Sequence, residues 1–226
     1  MERPAVRVAV WDGWVRLFHW SILVLVIVSY ATAKADAIWW HMLSGHAVLA
    51  LLIFRLAWGG VGSDTARFVH FVRPPTEALR HARRLWRGEA EPAVGHNAAG
   101  GWMVVLLLGL LLAQVVTGLF ADDEELYRGP FADWVGFDAS QRITGWHQRL
   151  VNILFAAIVL HVAAVAAYRI WFGRNLVAPM ITGSTEVPAD SPAALSQPRM
   201  ASHLRATLLL AASSVLAWSL WRIAQG

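Results

Sequence analysis

The chain of 226 residues contains no cysteine. This absence excludes disulfides, thiolate-bound iron–sulfur clusters and covalent c-type haem, which needs a Cys-x-x-Cys-His attachment site. A redox cofactor would therefore have to be held noncovalently and by other ligands. The chain has nine histidines, and neutral imidazole binds zinc, copper and haem iron. Histidine is accordingly the ligand to examine.

Charged residues are also scarce, at 15% of the chain against 57% hydrophobic residues. Soluble domains rarely have this composition, and the length suits four or five membrane helices with one sizeable connecting loop. Lys34 is the only lysine, so nearly all the positive charge is arginine. The arginines lie in loops beside apolar runs, which indicates contact with membrane lipids and argues against nucleic acid as a partner.

Five apolar runs are long enough to cross a hydrocarbon core of about 30 Å as helices. They cover approximately residues 14–33, 38–60, 99–121, 145–171 and 204–223. A signal peptide is the rival interpretation of the first run, because Ala31-Thr32-Ala33 resembles a cleavage site. The run is long for a signal peptide, so we expect it to be retained as a helix. Residues 76–86 (TEALRHARRLW) predict a short surface helix.

The distribution of arginine predicts the orientation in the membrane. The N-terminal segment, the 62–98 loop and the region after Tyr168 are rich in arginine, whereas the acidic 122–143 loop has only two arginines. The positive-inside rule then places the N-terminus in the cytoplasm and the C-terminus in the periplasm. We therefore expect a multi-pass membrane protein in this orientation.

Four histidines in the apolar runs sort by depth into two pairs. His147 and His161 are fourteen positions apart on the fourth run; they leave nearly the same helix face, roughly 21 Å apart along the axis. By depth, His19 matches His161 toward the cytoplasm, and His41 matches His147 toward the periplasm. A lone membrane histidine usually only bonds a neighbouring helix, but two depth-matched pairs favour b-type haem. Zinc is disfavoured because the pairs lie too far apart to supply four ligands to one ion.

A series of ordered motifs accompanies these histidines between residues 10 and 183. The motifs are Val10-Trp11-Asp12, Val15-Arg16-Leu17-Phe18-His19-Trp20, His41-x-x-x-Gly45, Trp58-Gly59, Ala66-Arg67-Phe68, Gly95-His96-Asn97, Gly100-Gly101-Trp102, Thr117-Gly118-Leu119-Phe120, Trp146-His147, His161 and Met180-Ile181-Thr182-Gly183. In these motifs the chain resembles bacterial cytochrome b561, also called the nickel-hydrogenase b-type cytochrome family.

The resemblance implies an all-α integral membrane protein, in which a four-helix transmembrane bundle at 10–183 holds two haems b. A linker at 184–203 and an additional transmembrane helix at 204–223 follow. The axial ligands implied for the two irons are His19, His41, His147 and His161.

The resemblance also implies a function. Electrons would cross the membrane between the quinone pool, as ubiquinone or menaquinone, and a periplasmic c-type cytochrome or hydrogenase-like redox enzyme. Such a subunit has quinol-dependent oxidoreductase activity at most, and we assign no catalytic residue. One rival function is a superoxide:quinone oxidoreductase, which the acidic 122–125 run disfavours because it would repel an anionic substrate. The second rival function is that of a haem-free membrane anchor for a partner complex.

Some assignments near the ligands stay open. His46 is the alternative to His41, but it points about 140° away on a straight helix, so the two cannot share one iron. His96 and Asn97 either line a quinone site or cap the third helix, and capping is favoured. Three arginines are candidate partners of haem propionates, although the last could instead extend to lipid headgroups: Arg16, Arg149 and Arg55.

Overall fold

The structure is a computed structural model that describes residues 5–89, 94–124, 127–195 and 197–225. The elements in chain order are β1 (Ala5–Ala9), α1 (Gly13–Lys34), α2 (Ile38–Val61), a 3₁₀ turn (Asp64–Ala66), α3 (Phe68–Phe71), α4 (Pro75–Trp86), α5 (Ala98–Leu119), α6 (Ala132–Val135), α7 (Phe137–Phe172), α8 (Val177–Thr182), β2 (Ser184–Pro188), α9 (Pro192–Leu195) and α10 (His203–Gln225). Glu125, which belongs to the acidic run, lies outside the described residues.

Five of these helices, α1, α2, α5, α7 and α10, are long and apolar enough to cross a membrane. They coincide with the five apolar runs, so the prediction of an all-α, multi-pass membrane protein is confirmed. The short helix expected at 76–86 is also present, as α4. Lipid-exposed irregular backbone is unfavourable in hydrocarbon, which is why apolar length alone identifies these elements well.

The helix α7 begins eight residues before the start predicted at 145. Its additional turns are polar, and their hydroxyl groups bond to backbone carbonyls of the preceding segment. Ser140 Oγ donates to the carbonyl of Phe120 at 2.8 Å, and Thr144 Oγ1 donates to the carbonyl of Asp122 at 3.1 Å. These side-chain hydrogen bonds, rather than apolar burial, hold the extension, so hydropathy did not indicate it.

The chain divides into two compact units. The first comprises residues 1–17, 57–105 and 159–206, and the second comprises residues 18–56, 106–158 and 207–226. The first contains an antiparallel pair of strands, β1 with β2, in which Ala5 faces Pro188 and Ala9 faces Ser184. Sequence analysis assigned no strand to either segment, and β2 falls within the predicted linker.

Asp12 organises the start of α1 in the first unit. Its Oδ1 accepts a hydrogen bond from the Val15 backbone N–H at 2.7 Å, which caps the helix. Its Oδ2 accepts one from the indole Nε1–H of Trp58 at 3.0 Å, and Trp58 is fully buried. Two motifs that are far apart in the sequence therefore meet at one carboxylate.

In the second unit, the part of α10 from residue 207 onward packs against other elements of the same unit. Ala217 belongs to a buried cluster with Leu49, Leu119 and Phe131. Ser213 on the same face is also buried. Small residues allow close approach of helix backbones in a membrane. The fifth helix is therefore an integrated part of this unit.

Candidate cofactor site

The structure brings together two of the predicted ligands, His41 on α2 and His147 on α7. Their ring centres are 6.1 Å apart and the ring planes are nearly perpendicular, at 82°. Both residues belong to the second unit. They are 106 positions apart in the sequence, so only the folded bundle makes them neighbours.

Backbone carbonyls fix the orientation of both imidazoles. Nδ1 of His41 lies 2.9 Å from the carbonyl oxygen of Ser29, and Nδ1 of His147 lies 2.9 Å from that of Gln114. A carbonyl can only accept, so Nδ1–H is the donor in both rings, and each Nε2 keeps its lone pair. An Nδ1–H bond to a backbone carbonyl is the usual support of a histidine that binds metal through Nε2.

This pair of donors fits a haem better than a free metal ion. Two metal–nitrogen bonds of about 2 Å, with about 1 Å from each nitrogen to its ring centre, would separate two axial imidazoles by roughly 6 Å. The observed separation of 6.1 Å agrees with this value. No cluster of three or more histidine and carboxylate side chains suited to a metal occurs among the described residues. A porphyrin needs only two protein ligands, because its own four nitrogens complete the coordination.

Gln114 on α5 belongs to this site, and sequence analysis missed it. Its amide Nε2 lies 3.3 Å from each ring nitrogen of His147 and donates to the His147 carbonyl at 3.1 Å. Its Oε1 is buried and has no hydrogen-bond partner within the described part of the chain. A single amide inside an otherwise apolar membrane run is a signal that could have identified it.

Two glycines adjoin the histidine pair. A Cβ on Gly118 would lie 3.0 Å from Cε1 of His147, so the glycine lets the ring pack closely on α5. A Cβ on Gly45, one turn after His41, would meet nothing within 4 Å. Protein packing therefore does not require glycine at position 45, and open space lies beside it.

His46, the alternative ligand, lies in different surroundings. Its Nδ1–H donates to the Met42 carbonyl at 2.8 Å, and its ring contacts the indole of Trp221 on α10, with centres 4.8 Å apart. The structure thus pairs His41, and not His46, with His147. This geometry favours His41 as the ligand on α2.

The other two predicted ligands lie in separate units and are described individually. His19, on α1, is half-buried and stands edge-on to Trp20, with ring centres 5.0 Å apart. His161, on α7, is also half-buried. Their pairing stays a prediction.

The three candidate arginines differ in their surroundings. Arg16 donates from one Nη to the carbonyl of Ile181 at 2.6 Å. The guanidinium of Arg149 lies over the Trp146 ring, 5.7 Å from its centre. Arg55 is only 3% exposed, so the alternative that it extends to lipid headgroups is wrong.

His96 and Asn97 have structural contacts. The Asn97 side-chain oxygen accepts the backbone N–H of Gly100 at 2.8 Å, which caps α5 as expected. The His96 ring packs against Trp11 and Phe71, with centres 4.5 and 4.6 Å away. These contacts favour the capping and packing roles over a quinone site.

The segment between α5 and α7 carries the acidic residues. Arg128 bonds two of them, Asp122 at 3.2 Å and Asp133, whereas Glu124 is exposed. Tyr127 donates its hydroxyl to the Gly118 carbonyl at 3.1 Å. Burial, reinforced by the nearby Asp123 carboxylate, raises the pKa of Tyr127 to about 12, so this hydroxyl stays protonated at neutral pH.

Comparison with known families agrees with this geometry. The family model described as prokaryotic cytochrome b561 matches residues 10–183, which include both paired histidines. The chain belongs to the prokaryotic cytochrome b561 family. No curated protein matches the chain. As a member of the cytochrome b561 family, the protein is a membrane-bound electron-transport cytochrome that works through b-type haem.

Proposed function

We propose that this cytochrome carries electrons across a bacterial inner membrane between the quinone pool and a periplasmic redox partner, through two haems b. The partner would be a c-type cytochrome or a hydrogenase-like enzyme. The observation that carries the proposal is the pair His41 and His147, with rings 6.1 Å apart and both Nδ1–H groups bonded to carbonyls. Bound haem supplies one-electron chemistry at iron.

In this proposal His41 and His147 would hold the haem nearer the periplasm, which would supply the one-electron chemistry on that side. The carbonyls of Ser29 and Gln114 would hold the Nδ1–H side of each ring, would leave Nε2 of both histidines as the nitrogen that binds haem, and would increase the electron density of the imidazoles. The open space beside Gly45 is available to the edge of the macrocycle. His19 and His161 are the proposed ligands of the second haem.

Buried and partly bonded arginines support the propionate assignments. Arg55 on α2 is almost completely buried, so its guanidinium lies inside the protein, where a propionate could reach it. The Nε of Arg16 is buried without a hydrogen-bond partner among the residues that the structure describes. Arg149 is the corresponding candidate near His147.

The orientation follows the arginine distribution, with the N-terminus in the cytoplasm and the C-terminus in the periplasm. The acidic segment after α5 then faces the periplasm. A basic surface on a soluble cytochrome complements this charge, which would steer the two proteins together. The same charge disfavours superoxide as a substrate, because it would repel an anion.

Haem content in single histidine variants tests the proposal. We expect two haems per wild-type chain, and loss of at least one in His19→Ala, His41→Ala, His147→Ala and His161→Ala. His46→Ala is the matched control and should keep both. A wild-type chain without a Soret band would refute haem-based electron transfer. Retention of both haems in His41→Ala, with loss of a haem in His46→Ala, would show that the ligand on α2 is His46 and not His41.

A further inference from the structure

A cavity of about 690 Å³ lies between α1, α2 and α10, within the second unit. Its volume is in the usual range for small-molecule sites. Three indoles line it, those of Trp20, Trp218 and Trp221, and the remaining walls are mostly alanine, leucine and valine side chains. The helix α10 lies outside the segment that the family model matches, so the cavity depends on a part of the chain that the family model does not cover.

His46 supplies the imidazole of this cavity, whose other polar side chains, apart from the indoles, are Ser21 and Ser214. It is 9% exposed and lines the cavity from α2. Because its Nδ1–H is bonded to the Met42 carbonyl, Nε2 of the neutral ring is a hydrogen-bond acceptor. This buried Nε2 has no partner among the described residues. A buried acceptor without a donor is costly, and a ligand that donates a hydrogen bond would remove that cost.

We propose that the cavity binds the ring of a lipid-soluble quinol, with one quinol hydroxyl donating to Nε2 of His46. The proposal rests on the proposed function, since the quinone pool supplies the ligand. The indoles offer flat apolar surfaces to an aromatic ring. His46 follows His41 by five positions on α2, a rise of about 7.5 Å, so the bound ring would lie near the proposed outer haem.

The hydrogen-bond direction separates a quinol from other occupants. An oxidised quinone has only carbonyl acceptors, and a lipid acyl chain has no polar group, so neither satisfies Nε2. Since Nε2 is itself buried, the hydroxyl must displace a neighbouring side chain to reach it. Trp221, whose indole stands edge-on to the imidazole, is in direct ring contact.

The test measures binding of decylubiquinol and decylubiquinone to the purified haem-loaded protein in lipid nanodiscs. Empty nanodiscs are the control for probe that dissolves in the lipid alone. We expect the wild type to bind the quinol about tenfold more tightly than the quinone, as one hydrogen bond to a buried acceptor allows. In His46→Phe this preference should disappear, while haem content and the Soret band stay unchanged. His46→Gln, which keeps an acceptor, should restore part of the preference.

A matched pair on α10 tests the location. Ser214 lines the cavity, whereas its neighbour Val215 does not line it and is 65% exposed. Ser214→Trp should weaken quinol binding at least tenfold, and Val215→Trp should not change it. Equal affinity for quinol and quinone in the wild type, or unchanged binding in Ser214→Trp, would overturn the cavity proposal. Neither result affects the haem proposal, which fails only if the haem count or its dependence on the histidines fails.

Discussion

At the scale of single residues, the histidine pair depends on neighbours that carry no charge. The carbonyls of Ser29 and Gln114 select the ring tautomer of His41 and His147. Gly118 provides the space in which the His147 ring lies against α5. The candidate ligands are predicted from sequence by residue type and depth, whereas these supporting groups act through backbone atoms or through a missing side chain. Their roles become visible only when the helices are placed.

Gly118→Ala tests this support directly. The new Cβ would lie 3.0 Å from Cε1 of His147, so the ring must shift by a few tenths of an ångström, a large part of the roughly 0.5 Å that ligand geometry tolerates. We expect the occupancy of the outer haem to fall at least twofold, together with a change in its spectrum. The measurement is haem per chain with low-temperature absorption spectra.

Gly109→Ala is the control for that variant, because Gly109 lies on the same helix and a Cβ there meets nothing within 4 Å. It should keep both haems. Alanine is more favourable than glycine inside a helix, so the substitution should not destabilise α5. If Gly118→Ala also retains full occupancy and an unaltered spectrum, the His147 ring is not confined as the structure indicates.

At the scale of elements, apolar length predicted the five membrane helices, and helix start and stop signals predicted α4. Hydropathy did not predict the first turns of α7, where Ser140 and Thr144 bond to backbone carbonyls. Hydropathy also did not predict the two strands. Each is five residues long, and β1 near the N-terminus pairs with β2, which lies far from it in the sequence. Short segments of this kind carry too little periodicity to be distinguished from loops. The fold is therefore predictable where the lipid environment dictates it.

The junction between α8 and β2 depends on Gly183. Its φ of 84° lies in the left-handed region that favours glycine. Its carbonyl accepts the backbone N–H groups of Val10 and Trp11 at 2.8 and 3.1 Å. A Cβ would lie 2.9 Å from the carbonyl oxygen of Trp11. This glycine thus combines a turn with a close approach of the chain at the edge of the sheet.

We expect Gly183→Ala to destabilise the first unit by more than the cost of left-handed backbone, which is about 1–2 kcal/mol. Gly173→Ala is the matched control, because Gly173 also has a positive φ, of 65°, but a Cβ there meets nothing within 4 Å. Thermal unfolding should show a clearly larger fall in Tm for position 183. Equal shifts for both variants would mean that the Trp11 contact contributes nothing.

At the scale of the whole molecule, charge is concentrated in loops. The arginine-rich loops and the acidic segment predict opposite sides of the membrane. The acidic segment combines Asp122, Asp123, Glu124, Asp133 and Asp138 with two arginines, Arg128 and Arg142, and Arg128 bonds Asp122 and Asp133. Exposed charge of one sign raises the association rate of an oppositely charged partner by steering it, and salt screens that effect. The proposed docking of a basic cytochrome can therefore be tested through rates.

Reversal of two exposed acidic residues, as Glu124→Lys with Asp138→Lys, should slow reoxidation of the reduced cytochrome by a basic soluble c-type cytochrome. We expect a fall of about tenfold at low ionic strength and nearly equal rates at about 0.5 M salt, because the Debye length then shrinks to a few ångströms. The measurement is stopped-flow absorbance of both haem proteins, with the membrane cytochrome in nanodiscs and the c-type cytochrome in solution.

The control is Glu186→Lys, because Glu186 is an exposed carboxylate on β2, in the other unit. It changes the net charge by the same amount per site, yet the proposed orientation assigns it to the cytoplasmic face, whereas the acidic segment is assigned to the periplasmic face. Its rate should match the wild type in nanodiscs when compared at equal ionic strength. If Glu186→Lys slows the reaction as much as reversal in the acidic segment does, net charge rather than a local docking surface controls the encounter.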